Sequence, residues 1–156
     1  MVMTRNKLMR HLNCARIEAA IQNAERQTSG EICVSIASFF WGNAEKAAEQ
    51  AFARLGMTRT KQRNGVLLFV VPARHKLIVK GDRGIHEKVG SEFWQHIVAV
   101  VTERFRTHDF TGGLVQAIEE IGAQLSLHFP YHAASDVNEL PNEIDFDARP
   151  PMENRV

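Results

Sequence analysis

Apolar residues near the start of the chain recur at near-helical intervals: Leu8, Leu12, Ala15, Ile17, Ile21 and Ala24. That period predicts one helix with a buried face, and Thr28-Ser29-Gly30 stops it. Glu31 to Ala37 is short and β-branched, the pattern of a strand. Asn43 is placed to cap a second helix, with Ala44, Ala47, Ala48, Ala51, Phe52 and Leu55 on one face. After the turn residues Arg63-Asn64-Gly65, Val66 to Val71 is apolar without alternation, so this strand is expected to be covered on both faces. Pro72 to His75 reads as a hairpin turn into a third strand, Lys76 to Lys80. Gly81-Asp82 follows, then a short helical piece from Ile85 to Val89. A long helix over about Ser91 to Arg106 turns Phe93, Trp94, Ile97, Val98, Val101 and Phe105 inward. Asp109 to Gly112 breaks the chain before a last helix built on Leu114, Ile118, Ile121 and Leu125, ending at Phe129-Pro130.

A strand–helix–strand unit favours a parallel pair with a right-handed crossover. The expected fold is therefore α/β, a small mixed β-sheet sandwiched between helices on both faces. At 156 residues the chain suits one domain. We place that domain at 5–130, followed by an acidic, proline-containing tail at 131–156 with few large apolar residues, expected to lie outside the core.

Charge changes the picture only locally. The chain carries +1 overall. Beyond Pro130, six carboxylates against Arg149 and Arg155 make the tail −4, which leaves the body at +5. A mild excess of that size is a solvated surface, so no nucleic-acid partner is expected. Cys14 and Cys33 make no disulfide framework. No apolar h-region follows the basic N-terminus, and the longest wholly apolar run, Val66 to Val71, is too short to anchor in a membrane. The expected location is cytoplasmic, with both thiols reduced.

The topology also places chemistry. If the first two strands are parallel, Glu31 and Asn64 start at one end of the sheet. The third strand returns antiparallel and delivers Asp82 to that same end. Glu31, Arg63, Asn64 and Asp82 are thus expected to converge, and carboxylates with an amide oxygen suit a hard cation such as Ca²⁺ or Mg²⁺. Asp109 would join them if the long helix ran back toward that end. The plainer reading makes Asp82 and Asp109 helix caps or turn formers and Glu31 an exposed strand end. At the opposite end, Phe39-Phe40-Trp41 leads into a helix N-terminus near Arg74-His75-Lys76. That suits either a phosphate or, through the three aromatics, a protein contact.

Familiar signatures are missing. There is no Gly-rich phosphate loop and no GxGxxG. Neither cysteine has an arginine six positions on, and Arg74-His75 is not followed by glycine. Asp145-Phe146-Asp147 has an aspartyl-phosphatase spacing, but it falls in the polar tail. The seven histidines form no zinc-protease pattern.

Several short stretches together resemble the TPM domain family, the thylakoid-lumen phosphatase-like domain. They are Thr28-Ser29-Gly30-Glu31-Ile32, Leu55-Gly56-Met57, Arg63-Asn64-Gly65-Val66-Leu67, Gly81-Asp82-Arg83-Gly84-Ile85, Phe93-Trp94, Asp109-Phe110 with Gly113, and Phe129-Pro130. The likeness runs over about residues 10 to 130. Asn138 to Pro141 is similar to a tail of soluble single-domain bacterial members. The resemblance implies an α/β sandwich, weak acid phosphatase activity toward small phosphomonoesters, and a divalent ion held through aspartates, which match here at Asp82 and Asp109. It leaves two readings. In the first, that ion supports phosphomonoester hydrolysis, with Asp82 and Arg63 as catalytic residues. In the second, the ion is structural, and a non-catalytic module binds a protein through Phe39, Phe40 and Trp41 or the tail, in maintenance of proteins or membrane complexes.

Overall fold

The computed structural model describes residues 3–38, 40–132, 140 and 142–146. Its elements run α1 (Arg5–His11), α2 (Cys14–Glu25), β1 (Glu31–Ile36), α3 (Ala44–Arg54), β2 (Gly65–Val71), β3 (Lys76–Gly81), α4 (Arg83–Arg106) and α5 (Phe110–His128). The sheet has the order β1-β2-β3. β1 pairs parallel to β2, with Glu31 opposite Gly65. β3 returns antiparallel, with Gly81 opposite Val66.

Alternation along the strands sorts the core into two layers. Ile32, Val34 and Ile36 of β1 and Val66, Leu68 and Val70 of β2 pack with α2, α4 and α5 on one face. Cys33, Leu67, Phe69 and Val71 meet α3 on the other. Helices therefore cover both faces. All seven residues of β2 are buried, which is why its sequence runs apolar without alternating.

The single helix expected at the start is two. The chain leaves helical geometry at Leu12 and restarts at Asn13, whose side chain accepts from the Arg16 amide at 3.1 Å. An Asn inside an apolar period is a cap rather than a helix-surface residue here. The two-piece reading of α4 holds, because Gly90 takes φ 78° and ψ 172° and kinks it.

The expectation of a tail wholly outside the core fails at residues 144–146. Ile144 is buried in the larger apolar layer. Asp145 pairs with Ser35 on the outer edge of β1, its amide donating to Val34 O at 2.9 Å and its carbonyl accepting from Ile36 N at 2.8 Å. An edge strand with unpaired amides recruits such a segment, whatever the polarity of the residues around it. Apart from Leu140, the Asn138–Pro141 match lies outside the described residues.

Candidate functional site

The strand starts bring Glu31 and Asn64 together, as the topology required, and Asp82 and Arg63 arrive at the same end. Their chemistry divides into two groups.

Arg63 and Asp82 form a closed unit. Arg63 lies at the turn before β2 with φ 52°. Its Nε donates to Asp82 Oδ2 at 2.6 Å and its Nη2 to Asp82 Oδ1 at 2.9 Å, a bidentate fork. The same carboxylate caps α4 by accepting from the Arg83 amide at 2.8 Å. The bond to Asp82 raises the Arg63 guanidinium above its ordinary value. Gly84 N donates to Arg63 O at 2.8 Å, and a Cβ on Gly84 would lie 2.2 Å from Gln62 O. Glycine is what lets the start of α4 press against this turn. Asp82 is thus a helix cap bound to an arginine, and its oxygens are already committed.

Glu31 and Asn64 make other contacts, and the Glu31 amide donates to Asn64 O at 3.4 Å. Glu31 is 2% exposed, so the reading of an exposed strand end does not hold: the end of α2 covers it. Glu25, the last residue of α2, accepts from the Ile32 amide through Oε2 at 2.9 Å. Burial, then a hydrogen bond and charge repulsion from Glu31, push the Glu25 carboxyl up to about 9. Two buried carboxyls in hydrogen-bond contact hold one proton between them near neutral pH. Asn64 is 1% exposed. Its Nδ2 donates to Ser29 Oγ at 3.2 Å, while its Oδ1 is buried without a hydrogen-bond partner. Burial, and then the charges of Glu25, Glu31 and Asp145, push the Cys33 thiol up to about 12. It stays a thiol and not a nucleophile.

Asp109 is not part of this end. Beyond Gly90, α4 runs about 24 Å back along β3. Trp94 packs against Gly81, whereas Phe105 and Phe110 line a cavity with Val71 and Leu77 at the other end of the sheet. Asp109 accepts from Arg104 Nη1 at 2.6 Å and from the Gly112 amide at 3.1 Å, capping α5. The Arg104 bond holds its carboxyl below the usual range. The long helix leads away from Asp82, so the two aspartates sit at opposite ends. No group of three or more His, Cys, Asp or Glu side chains among the described residues is arranged to hold a metal.

The aromatic loop is only in part a surface. Phe39 lies outside the described residues. Phe40 is half-buried, 6.5 Å from the Phe69 ring, with the Arg74 guanidinium 4.4 Å over its face. Arg74 also donates to the Phe40 and Gly42 carbonyls at 2.8 and 2.6 Å, so it ties the loop down rather than offering itself to a phosphate. Trp41 is 87% exposed.

Glu25 sits at the end of a helix rather than at a strand end. The signal was present all the same. Glu25 follows Ile17 and Ile21 at intervals of four, a carboxylate on the apolar face of its helix. Asp145, in the polar tail, also carries a functional group of the fold. Its carboxylate accepts from Ser35 Oγ at 2.7 Å and from Arg54 Nη2 at 2.8 Å.

A three-stranded mixed sheet flanked by helices, with buried carboxyls at its strand starts, defines a small α/β domain whose polar centre lies off the strand ends used by nucleotide folds. The TPM domain family model matches residues 2–124, and the chain belongs to that family. The BA42 protein of the psychrophilic bacterium Bizionia argentinensis, solved by NMR, is similar at 34% identity and a TM-score of 0.79, over 86% of this chain and 94% of that one. The N-terminal domain of the cg2496 protein of Corynebacterium glutamicum shares the fold at 18% identity and a TM-score of 0.55, over 71% of this chain and 70% of that one. No curated protein matches the chain. No helix among the described residues is long and apolar enough to cross a membrane.

Proposed function

We propose that this TPM domain binds a divalent cation, Ca²⁺ or Mg²⁺, at the Glu25–Glu31–Asn64 cluster and hydrolyses a small phosphomonoester weakly beside it. The observation that carries the reading is the pair of buried carboxyls in hydrogen-bond contact, Glu25 and Glu31, with the orphaned Asn64 Oδ1 at the same strand starts. A divalent cation can take the place of the proton the pair shares, and all three side chains offer hard oxygen donors. Asp82 and Asp109 do not fit that role, because each carboxylate is bound to an arginine and a helix amide.

When bound, the ion would polarise a phosphoryl oxygen or acidify a water. Arg63 is the charge-stabilising group: Asp82 uses two of its five N–H donors and fixes its plane. Asp82 then acts as a positioning residue. The exposure of Trp41 favours a second reading, in which the ion is structural and the domain binds a protein.

Calorimetric titration with Ca²⁺ or Mg²⁺, run in buffers of different ionisation enthalpy, tests the site. Binding should release about one proton at pH 7. Glu31→Gln should weaken it by at least about tenfold, while Asp109→Ala leaves it unchanged. Wild-type affinity in Glu31→Gln would overturn the site. Arg63→Ala should keep the ion and lose p-nitrophenyl phosphate turnover. Tight ion binding with no turnover in the wild type would leave the second reading standing.

A further inference from the structure

The opposite end of the sheet holds a cavity of about 320 Å³. It sits beyond the carboxyl end of β2, the side where open α/β sheets take ligands. Leu8, Val70, Leu77, Phe105 and Phe110 form an apolar floor. His75, Lys76, Arg106 and His108 also line it, and all four residues are exposed.

No carboxylate among the described residues lines this cavity. Asp109, next in sequence to His108, is bound to Arg104. Arg106 makes a 3.8 Å contact with Glu103, both side chains about three-quarters exposed at 75% and 74%. α4 ends and α5 begins beside the mouth, so their terminal partial charges oppose one another. The net field there comes from the basic side chains.

Backbone strain coincides with this mouth. Of the three non-glycine residues with positive φ among those described, two are His75 at 50° and His108 at 64°. Glycine would take either conformation without steric cost, whereas a side chain there is strained. Both residues line the cavity.

We propose that this cavity binds an amphipathic anion, an apolar body of about eight to ten carbons with one carboxylate or phosphate head. The size follows from the volume, because liquid water occupies about 30 Å³ per molecule and the space therefore holds about ten heavy atoms. It lies at the lower end of the range of small-ligand sites. The apolar floor takes the body, and the Arg106 fork, Lys76 and the two imidazoles face the head. This site is separate from the cation cluster and does not depend on it.

The test is a ¹H–¹⁵N NMR titration of the full chain with octanoate, octyl phosphate, octan-1-ol and octyltrimethylammonium. Octanoate or octyl phosphate should give saturable shifts at Val71, Leu77, Phe105 and Phe110, and the stronger of the two identifies the head group. Octanol should bind at least about tenfold more weakly, and the cation not at all. Reversing the rim with Lys76→Glu and Arg106→Glu should weaken the anion about tenfold and leave octanol unchanged. The milder pair Lys76→Gln and Arg106→Gln serves if reversal unfolds the chain. Thr102→Trp, an exposed lining position on α4, should block every ligand, and Glu31→Gln should block none. Equal binding of octanol and octanoate, indifference to the rim variants, or no saturable shifts at this end would overturn the proposal.

Discussion

Replacing Glu25 with Gln should make the protein more stable, and more so as pH rises. Glutamine is isosteric with a protonated glutamic acid. Its carbonyl can accept from the Ile32 amide, as Glu25 Oε2 does at 2.9 Å, and its NH₂ can donate to Glu31. Burial and Glu31 raise the folded-state Glu25 carboxyl from 4.5 to about 9. In the unfolded chain the same group ionises near its ordinary value. Between those two values the folded state keeps a proton that the unfolded state has lost. Stability therefore falls as pH rises through that window. The limiting slope for one proton is about 1.4 kcal/mol per pH unit. From pH 5.5 to 8 this amounts to roughly 3 kcal/mol, a large share of the 5–15 kcal/mol typical of a domain. A glutamine side chain has no carboxyl proton to lose, so the advantage of Glu25→Gln over wild type should be about 1.4 kcal/mol at pH 5.5 and grow by roughly 3 kcal/mol more by pH 8. Urea unfolding in chelator, followed by fluorescence of the buried Trp94, measures the difference. Contributions from the histidines cancel between the two proteins. A difference that stays flat within about 0.5 kcal/mol across this range would refute the shared proton. Added divalent cation should narrow the gap at pH 8 and do little at pH 5.5, where the proton competes.

Gly84→Ala should destabilise the domain by about 1–3 kcal/mol, because its new Cβ would meet the Gln62 and Arg63 carbonyls at 2.2 and 2.6 Å. Those are backbone atoms that no rotamer change can move aside. Chemical unfolding checks it, and an unchanged midpoint would show that the α4 start is not pressed on the turn. Ile144→Ala should cost about 2–4 kcal/mol if residues 144–146 belong to the folded unit as their burial indicates. The same variant should speed proteolysis of the chain beyond Pro130, and wild-type stability would place Ile144 outside the cooperative core.

Much of the fold was legible because local pattern and global environment agree. The unbroken apolar run Val66–Val71 belongs to a central strand buried on both faces, and Gly90 punctuates α4 where the periodicity breaks. The break at Asn13 was less readable, since apolar spacing continues across it and only the capping bond shows the stop. At the site, the strand directions brought Glu31, Asn64, Arg63 and Asp82 to one end. They did not say which groups were already engaged. Asp82 and Arg63 neutralise one another across 19 positions of sequence, and nothing in composition announces that choice of partner.

What the amino-acid order determined alone is what depends on neighbours along the chain: helices, strands, caps, turns, and the parallel-then-antiparallel course of the three strands. Tertiary structure decided what depends on direction and distance. It sent α4 away from Asp82, so that Asp109 caps α5 at the far end of the sheet. It folded the end of α2 over β1, which turned Glu31 from a strand end into half of a buried pair. It also drew Asp145 out of a polar tail onto the open edge of β1. In each case a short-range rule gave the residue its local role, and long-range burial and charge gave it its chemistry.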